Sequence, residues 1–184
     1  TCKDCKTMKT FHICEAPGGF ILALEYFLQK TQNVSLDWKA QSLNPNNKLN
    51  IKKYGKKPFG DEFSLMKDFP NRWIFGDKKD DTGDISKSAN IKFYNKYCKD
   101  IEILTSDCGL SRDENWEIKK EMNIINYAQF LFMFYNLPEG GNCVLKVFAP
   151  VKQQKISLLY LMCMNFKKML VTNLLLERKV MPTQ

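Results

Sequence analysis

Short apolar runs alternate along this chain with longer segments whose apolar residues recur at helical spacing. Residues 10–15 read as a short buried strand, and 19–30 (GFILALEYFLQK) as a helix with Phe20, Leu24, Phe27 and Leu28 on one face. NVSLDWKAQSL predicts a second strand ending near Asp37 and Trp38, with the tryptophan in the core. Residues 44–70, rich in Asn, Pro, Lys and Gly, form a long excursion of a kind that is often functional in compact domains. RWIFG (72–76) reads as a strand, DKKDDTGDI as a polar loop, and 88–98 as a helix anchored by Ile91, Phe93 and Tyr94. EILTSD (102–107) is a strand that stops on an acid. The strongest helical pattern lies at 114–137, through Ile118, Met122, Ile125, Ala128, Leu131 and Phe132, and Pro-Glu-Gly-Gly breaks it. CVLKVFA (143–149) is a strand with one lysine in an apolar run, and 152–168 returns to a helical pattern.

Strands that are apolar along their whole length, alternating with helices, are the mark of a parallel sheet covered on both faces. The expected fold is α/β, a doubly wound, mostly parallel sheet of Rossmann-like type. In such sheets a ligand sits at the carboxyl ends of the strands, beside a switch in strand order. The polar residues expected at strand ends are Glu15, Asp37, Asp84, Asp107 and Lys146.

Glu15-Ala16-Pro17-Gly18-Gly19 stands where the first strand meets the first helix. Glycine permits positive φ and close approach of a ligand to the backbone, and the helix behind it offers free N–H groups. The dinucleotide fingerprint G-x-G-x-x-G and the P-loop G-x-x-x-x-G-K-[ST] are both missing, which disfavours those sites. A carboxylate at the turn would repel a phosphate. It suits a ligand with a cationic end, such as S-adenosylmethionine, whose amino-acid moiety would lie against Gly18 and Gly19. A plain strand-to-helix turn is the competing reading.

The 184 residues fit one domain over 1–184, and the first residue, Thr1, is compatible with a fragment of a longer chain. No apolar run is long enough for a bilayer, and no secretory signal opens the chain, so no membrane association is expected. The formal net charge of +8 suggests a polyanion partner, most often nucleic acid. The surplus is uneven: from Gly140 onward seven Lys/Arg face a single acid, Glu177. Cys14, Cys98, Cys108, Cys143 and Cys163 lie in apolar or strand-like runs, where a reduced cysteine acts as a small hydrophobe, which points to a reducing compartment. Cys2-x-x-Cys5 with His12 and Cys14 is half a zinc pattern without a second knuckle, and no metal is expected.

Four segments, in order, resemble the FtsJ-like (RrmJ-like) ribose 2′-O-methyltransferases. EAPGGF resembles motif I; TGDISKSANIKFY the GDI…NI segment of the cap-specific branch; SDCGLS the catalytic-aspartate segment; GGNCVLKVF the catalytic-lysine strand. The DWKAQSLNP stretch looks most like the versions carried by large cytoplasmic DNA viruses, which would place the protein in the host cytoplasm or a virion. The resemblance implies S-adenosylmethionine as cofactor and transfer of its methyl group to a ribose 2′-OH of RNA, most like a cap-proximal nucleotide of mRNA, with other capping subunits as possible partners. A ribosomal or transfer RNA substrate, or an inactive relative that binds RNA or a partner subunit, are the alternatives.

The family works with a Lys-Asp-Lys-Glu set. The resemblance makes Lys146 the activator of the 2′-OH, Asp107 its orienting carboxylate beside the donor, and Glu177, 31 residues after Lys146, the glutamate. The surrounding LLLERKVMPTQ departs from the family's usual pattern for that glutamate. The first lysine would be Lys3 or Lys6, or lie outside this chain. The donor would meet Glu15, Pro17, Gly18, Gly19, Phe20 and Asp107, with Asp37 at the ribose and Asp84 on the adenine side. Lys152, Lys155, Lys167 and Lys168 are candidates for the RNA phosphate path, and Phe148 for base stacking.

Overall fold

The computed structural model describes residues 6–55, 60–109, 116–147 and 153–172. The chain divides into two compact units, residues 1–148 and 149–184.

The first unit is built on five parallel strands: β1 (Thr7–Ile13), β2 (Ser35–Gln41), β3 (Trp73–Ile74), β4 (Ile103–Ser106) and β5 (Asn142–Leu145), in the spatial order β3-β2-β1-β4-β5. The direction of winding reverses between β1 and β4, so the switch point of the sheet is the crevice between their carboxyl ends. This is the α/β Rossmann-like architecture that the alternating pattern predicts.

Both faces of the sheet are covered, and the pleat decides which residues go where. On one face Phe11 and Ile13 of β1 and Leu104 of β4 pack with Ile91 and Tyr94 of α4 (Ser88–Tyr94) and with Ala128 and Phe132 of α5 (Trp116–Asn136). The rings of Phe11, Tyr94 and Phe132 meet pairwise at 5.6–5.8 Å between centroids, each pair adding about 1 kcal/mol beyond its burial. On the other face Leu36, Trp38 and Ala40 of β2 and Trp73 of β3 pack with Ile21 and Leu28 of α1 (Gly19–Gln32) and with Leu65 of α3 (Leu65–Asp68). Trp38 is a core residue, edge-on to Trp73 and Phe69.

Several helical faces differ from the expected ones. The buried stripe of α1 runs through Ile21 and Leu28, with Leu24 packed beside them, while Phe27 is 53% exposed. Along α5 the buried side takes in Asn126, Gln129, Phe130 and Met133 as well as Ala128 and Phe132, and Leu131 faces out. The excursion after β2 carries α2 (Lys48–Tyr54), capped by Asn47, whose side chain accepts from the Leu49 and Asn50 amides. The second strand continues past Asp37 and Trp38 to Gln41. In the second unit the described element is α6 (Gln153–Asn165).

Candidate active site

Four strands deliver polar groups to one edge of the sheet. From β2 outward through β1, β4 and β5, the residues at the carboxyl ends are Gln41, Glu15, Asp107 and Lys146. Ile13 lies opposite Ser106, and Ser106 opposite Leu145. The Asp107 amide donates to the Ile13 carbonyl at 3.3 Å and the Lys146 amide to the Ser106 carbonyl at 2.9 Å, so the ladder continues one step beyond the strands. That register brings the Lys146 ammonium to Asp107: Nζ donates to Oδ1 at 2.7 Å. Both side chains keep contact with solvent, 34% and 40% exposed.

Glu15 is the buried ionisable member of the row. Gly18, the residue before α1, has no side chain to cap the helix, and Glu15 does so instead: its Oε1 accepts from the Ile21 amide at 3.0 Å. Its Oε2 is buried without a hydrogen-bond partner. Burial pushes the Glu15 carboxyl up to about 7; the Ile21 and Phe20 amides pull it down, and the nearby Asp107 charge pushes it up again. His12 Nδ1 lies 4.0 Å from that free oxygen but supplies no charge. Its ring nitrogens are bonded to Thr105 Oγ1 (2.7 Å) and Thr10 Oγ1 (2.8 Å), and burial lowers its pKa to about 3. An unsatisfied carboxylate oxygen in a dry turn is the complement of a cationic group with N–H donors. It fits the ammonium end of S-adenosylmethionine.

The two glycines of the turn differ in what they do. Gly18 has φ +115°, and a Cβ there would run into Leu65 Cδ1, so it serves the turn and its packing. Gly19 faces open space within 4 Å and is the glycine that leaves room for a ligand. Pro17 precedes them, joined to Ala16 by a cis peptide, and Phe20 is partly buried.

Gln41 joins this turn to the loop before α4. Fully buried, it accepts from the Cys14 amide through Oε1 at 2.9 Å and donates through Nε2 to the Gly83 carbonyl. Gly83 has φ +71°, and a Cβ there would run into the Ser42 carbonyl oxygen. Asn50 of α2 adds two bonds across the same seam, to the carbonyls of Asn44 (3.0 Å) and Thr82 (2.7 Å). Asp84 follows Gly83, and its Oδ1 accepts from the Ser86 amide at 2.8 Å. A glutamine inside a strand carries no sequence signal for this role, and sequence reasoning did not find it.

Other candidates lie elsewhere. Asp37 stands four residues before the end of β2 and pairs with Arg72 at 3.2 Å, because the strand runs on to Gln41. It is therefore not at the carboxyl edge. Lys6 precedes β1 and lies 3.8 Å from Glu102; the length of the strand puts it roughly 20 Å from Lys146's end of the sheet. It is excluded as a partner of Lys146 and Asp107. Of the half zinc pattern, Cys2 and Cys5 fall outside the described residues, while His12 is bonded on both nitrogens and Cys14 is joined to Cys108 in a disulfide. That disulfide corrects the reading of Cys14 and Cys108 as separate reduced thiols. Parallel pairing of β1 with β4 brings their Cα atoms to 4.9 Å, a distance sequence spacing cannot reveal. Lys155 lies on α6, and Lys167 and Lys168 follow it, exposed, in the second unit. Lys3, Phe148, Lys152 and Glu177 fall outside the described residues. Among the described residues no helix is long and apolar enough to cross a membrane.

Comparison with known proteins places the chain in a family. The family model of the FtsJ-like methyltransferases matches residues 2–179. An uncharacterized protein of Acanthamoeba polyphaga mimivirus is 35% identical over 170 residues, covering 90% of this chain and 21% of its own length. The cap-specific mRNA (nucleoside-2′-O-)-methyltransferase 2 of Danio rerio is 28% identical over 166 residues, 87% of this chain and 21% of that protein. A probable methyltransferase of African swine fever virus (isolate Pig/Kenya/KEN-50/1950) is 25% identical over 178 residues, 90% of this chain and 40% of that protein. The chain thus spans about a fifth of the length of the first two relatives. No solved structure matches. With a glycine turn, a buried carboxylate and a lysine–aspartate pair along one sheet edge, and a family match over nearly its whole length, the chain belongs to the FtsJ-like methyltransferase family.

Proposed function

We propose that this chain transfers a methyl group from S-adenosylmethionine to a ribose 2′-OH of RNA, at a cap-proximal nucleotide of mRNA. The observation that carries the reading is the Lys146–Asp107 ion pair at 2.7 Å, beside a buried carboxylate with one oxygen unpartnered.

S-adenosylmethionine, when bound, supplies an electrophilic methyl on a sulfonium. Glu15 with the Pro17–Phe20 turn would hold its ammonium end, and Asp84 its adenosine end. Ionised Glu15 offers Oε2 to the ammonium and ceases to be an isolated buried charge. Lys146 acts on the acceptor. A hydroxyl is a weak nucleophile at neutral pH, and an ammonium nearby favours the charge that builds on its oxygen during transfer. Asp107 fixes the Lys146 head group by a charge-assisted hydrogen bond, and its negative charge would favour a cationic donor held nearby. Lys152, Lys155, Lys167 and Lys168 would contribute to the phosphate path. Cap specificity is supported by the naming of the zebrafish relative.

The test is transfer of labelled methyl to a short capped RNA, with the uncapped RNA and the Lys146→Ala protein alongside. Incorporation at a cap-proximal 2′-O that disappears in the variant supports the reading. Incorporation indifferent to the cap moves the substrate to ribosomal or transfer RNA. Donor binding without transfer makes this chain a binding or partner subunit, and failure to bind the donor sinks the assignment.

A further inference from the structure

We infer that Cys14 and Cys108 form a reversible redox site whose disulfide clamps the two carboxylate-bearing turns of the active site together. Cys14 is bonded in sequence to Glu15, and Cys108 to Asp107, and their disulfide spans 94 positions of sequence. It crosses the switch point, tying the end of β1 to the end of β4 on the face packed by α4 and α5, where Cys108 belongs to the core and Cys14 packs against it. Cys14 also takes the left-handed conformation, φ +55°, unusual for a residue with a Cβ. Its backbone is held there from two sides, by the sulfur bridge and by Gln41 on its amide. Loss of the bridge removes one restraint from the residue that precedes Glu15.

The two sulfurs are not equivalent. Cys108 is 1% exposed, whereas Cys14 is only partly buried. Thiol–disulfide exchange starts at a sulfur that a second molecule can reach. In the forward direction the Cys14 thiolate attacks glutathione disulfide, forming a mixed disulfide and releasing one glutathione thiolate. The Cys108 thiolate then attacks the Cys14 sulfur and releases the second. Two protein thiols are oxidised to one disulfide, and one glutathione disulfide is reduced to two thiols. Among the described residues Cys98, Cys143 and Cys163 are free thiols.

The test equilibrates the full chain in reduced or oxidised glutathione, then traps free thiols with a maleimide and maps them by mass spectrometry. Amide hydrogen exchange at Ile21, whose N–H is bonded to Glu15, reads the turn without any ligand. The expected result is a Cys14–Cys108 bridge that forms in oxidised and opens in reduced glutathione, with faster exchange at Ile21 once open. Affinity for S-adenosylmethionine, which rests on the function proposed above, is expected to fall about tenfold on opening. A Cys14→Ser/Cys108→Ser double variant should match the reduced wild type in both buffers; if it fails to fold, the wild-type comparison alone decides. A pair that stays alkylated in oxidised glutathione overturns the inference, as does equal exchange at Ile21 in both states. If neither state binds the donor while exchange at Ile21 still differs, the clamp stands and the donor assignment falls.

Discussion

Asp107 holds the Lys146 ammonium at 2.7 Å although the two residues are 39 positions apart. The contact follows from the parallel register of β4 and β5, in which Ser106 faces Leu145 and the next residue of each strand meets at the carboxyl edge. Both groups are partly exposed, so the pair contributes little to stability, within about 1 kcal/mol. Its value is positional: it sets a cation beside the crevice where the strand order reverses.

Lys146→Ala is expected to lower methyl transfer about 10²–10⁴-fold, with the melting temperature and the affinity for S-adenosylmethionine nearly unchanged. Labelled-methyl transfer to capped RNA, calorimetric titration of the donor and a thermal melt check the three parts. Equal loss of donor affinity and turnover would move Lys146 from the acceptor to the donor.

Donor affinity should rise with pH through about 7. Glu15 is protonated below that value, and only its ionised form offers Oε2 to a cation. Affinity is therefore weak near pH 6 and levels off above pH 8, and Glu15→Gln should lower it and flatten the profile. Calorimetric titrations across that range are the measurement; a flat wild-type profile would contradict the role of Glu15.

The same carboxylate makes the free protein pay in stability. Its folded pKa of about 7 lies above its ordinary 4.5, so the folded state binds the proton more tightly. The cost of ionising it in the folded state is absent below pH 4.5 and grows as pH rises through 7. His12 runs the other way: with a folded pKa of about 3, its contribution is intact above 6.5 and is lost as pH falls toward 3. The two trends oppose each other between pH 4.5 and 6.5. Glu15→Gln is accordingly expected to raise the melting temperature of the unliganded protein at pH 8, while having little effect at pH 4.5.

Glycine substitutions should separate packing from ligand space. Gly83→Ala forces a left-handed residue and a clash with the Ser42 carbonyl, and is expected to cost about 1–3 kcal/mol or more in urea unfolding. Gly19→Ala meets nothing within 4 Å and should leave unfolding almost unaltered while weakening donor binding. A Gly19→Ala protein with full donor affinity would remove that glycine from the site.

Asp37→Ala should leave donor affinity at the wild-type level, because Asp37 lies mid-strand against Arg72. The expected loss of stability is below about 1 kcal/mol, as for other exposed ion pairs. A marked fall in donor affinity would return Asp37 to the ribose position that its sequence context suggests.

Short-range pattern was enough to read the alternation of strands and helices, the glycine turn after the first strand, and the placement of Asp107 and Lys146 at strand ends. These depend on periodicity and turn chemistry within a few residues, which the chain carries locally. Only the tertiary structure decided what strand pairing decides. It extended the second strand to Gln41 and so moved Asp37 off the edge, left Lys6 at the wrong end of β1, joined Cys14 to Cys108, and turned Glu15 into a helix cap with one oxygen unpartnered. Strand order and register are set by contacts between residues tens of positions apart, and one step of register changes which side chains meet. Local sequence holds no record of those distances, which is why neither Gln41 nor the register that brings these side chains together could be read from it.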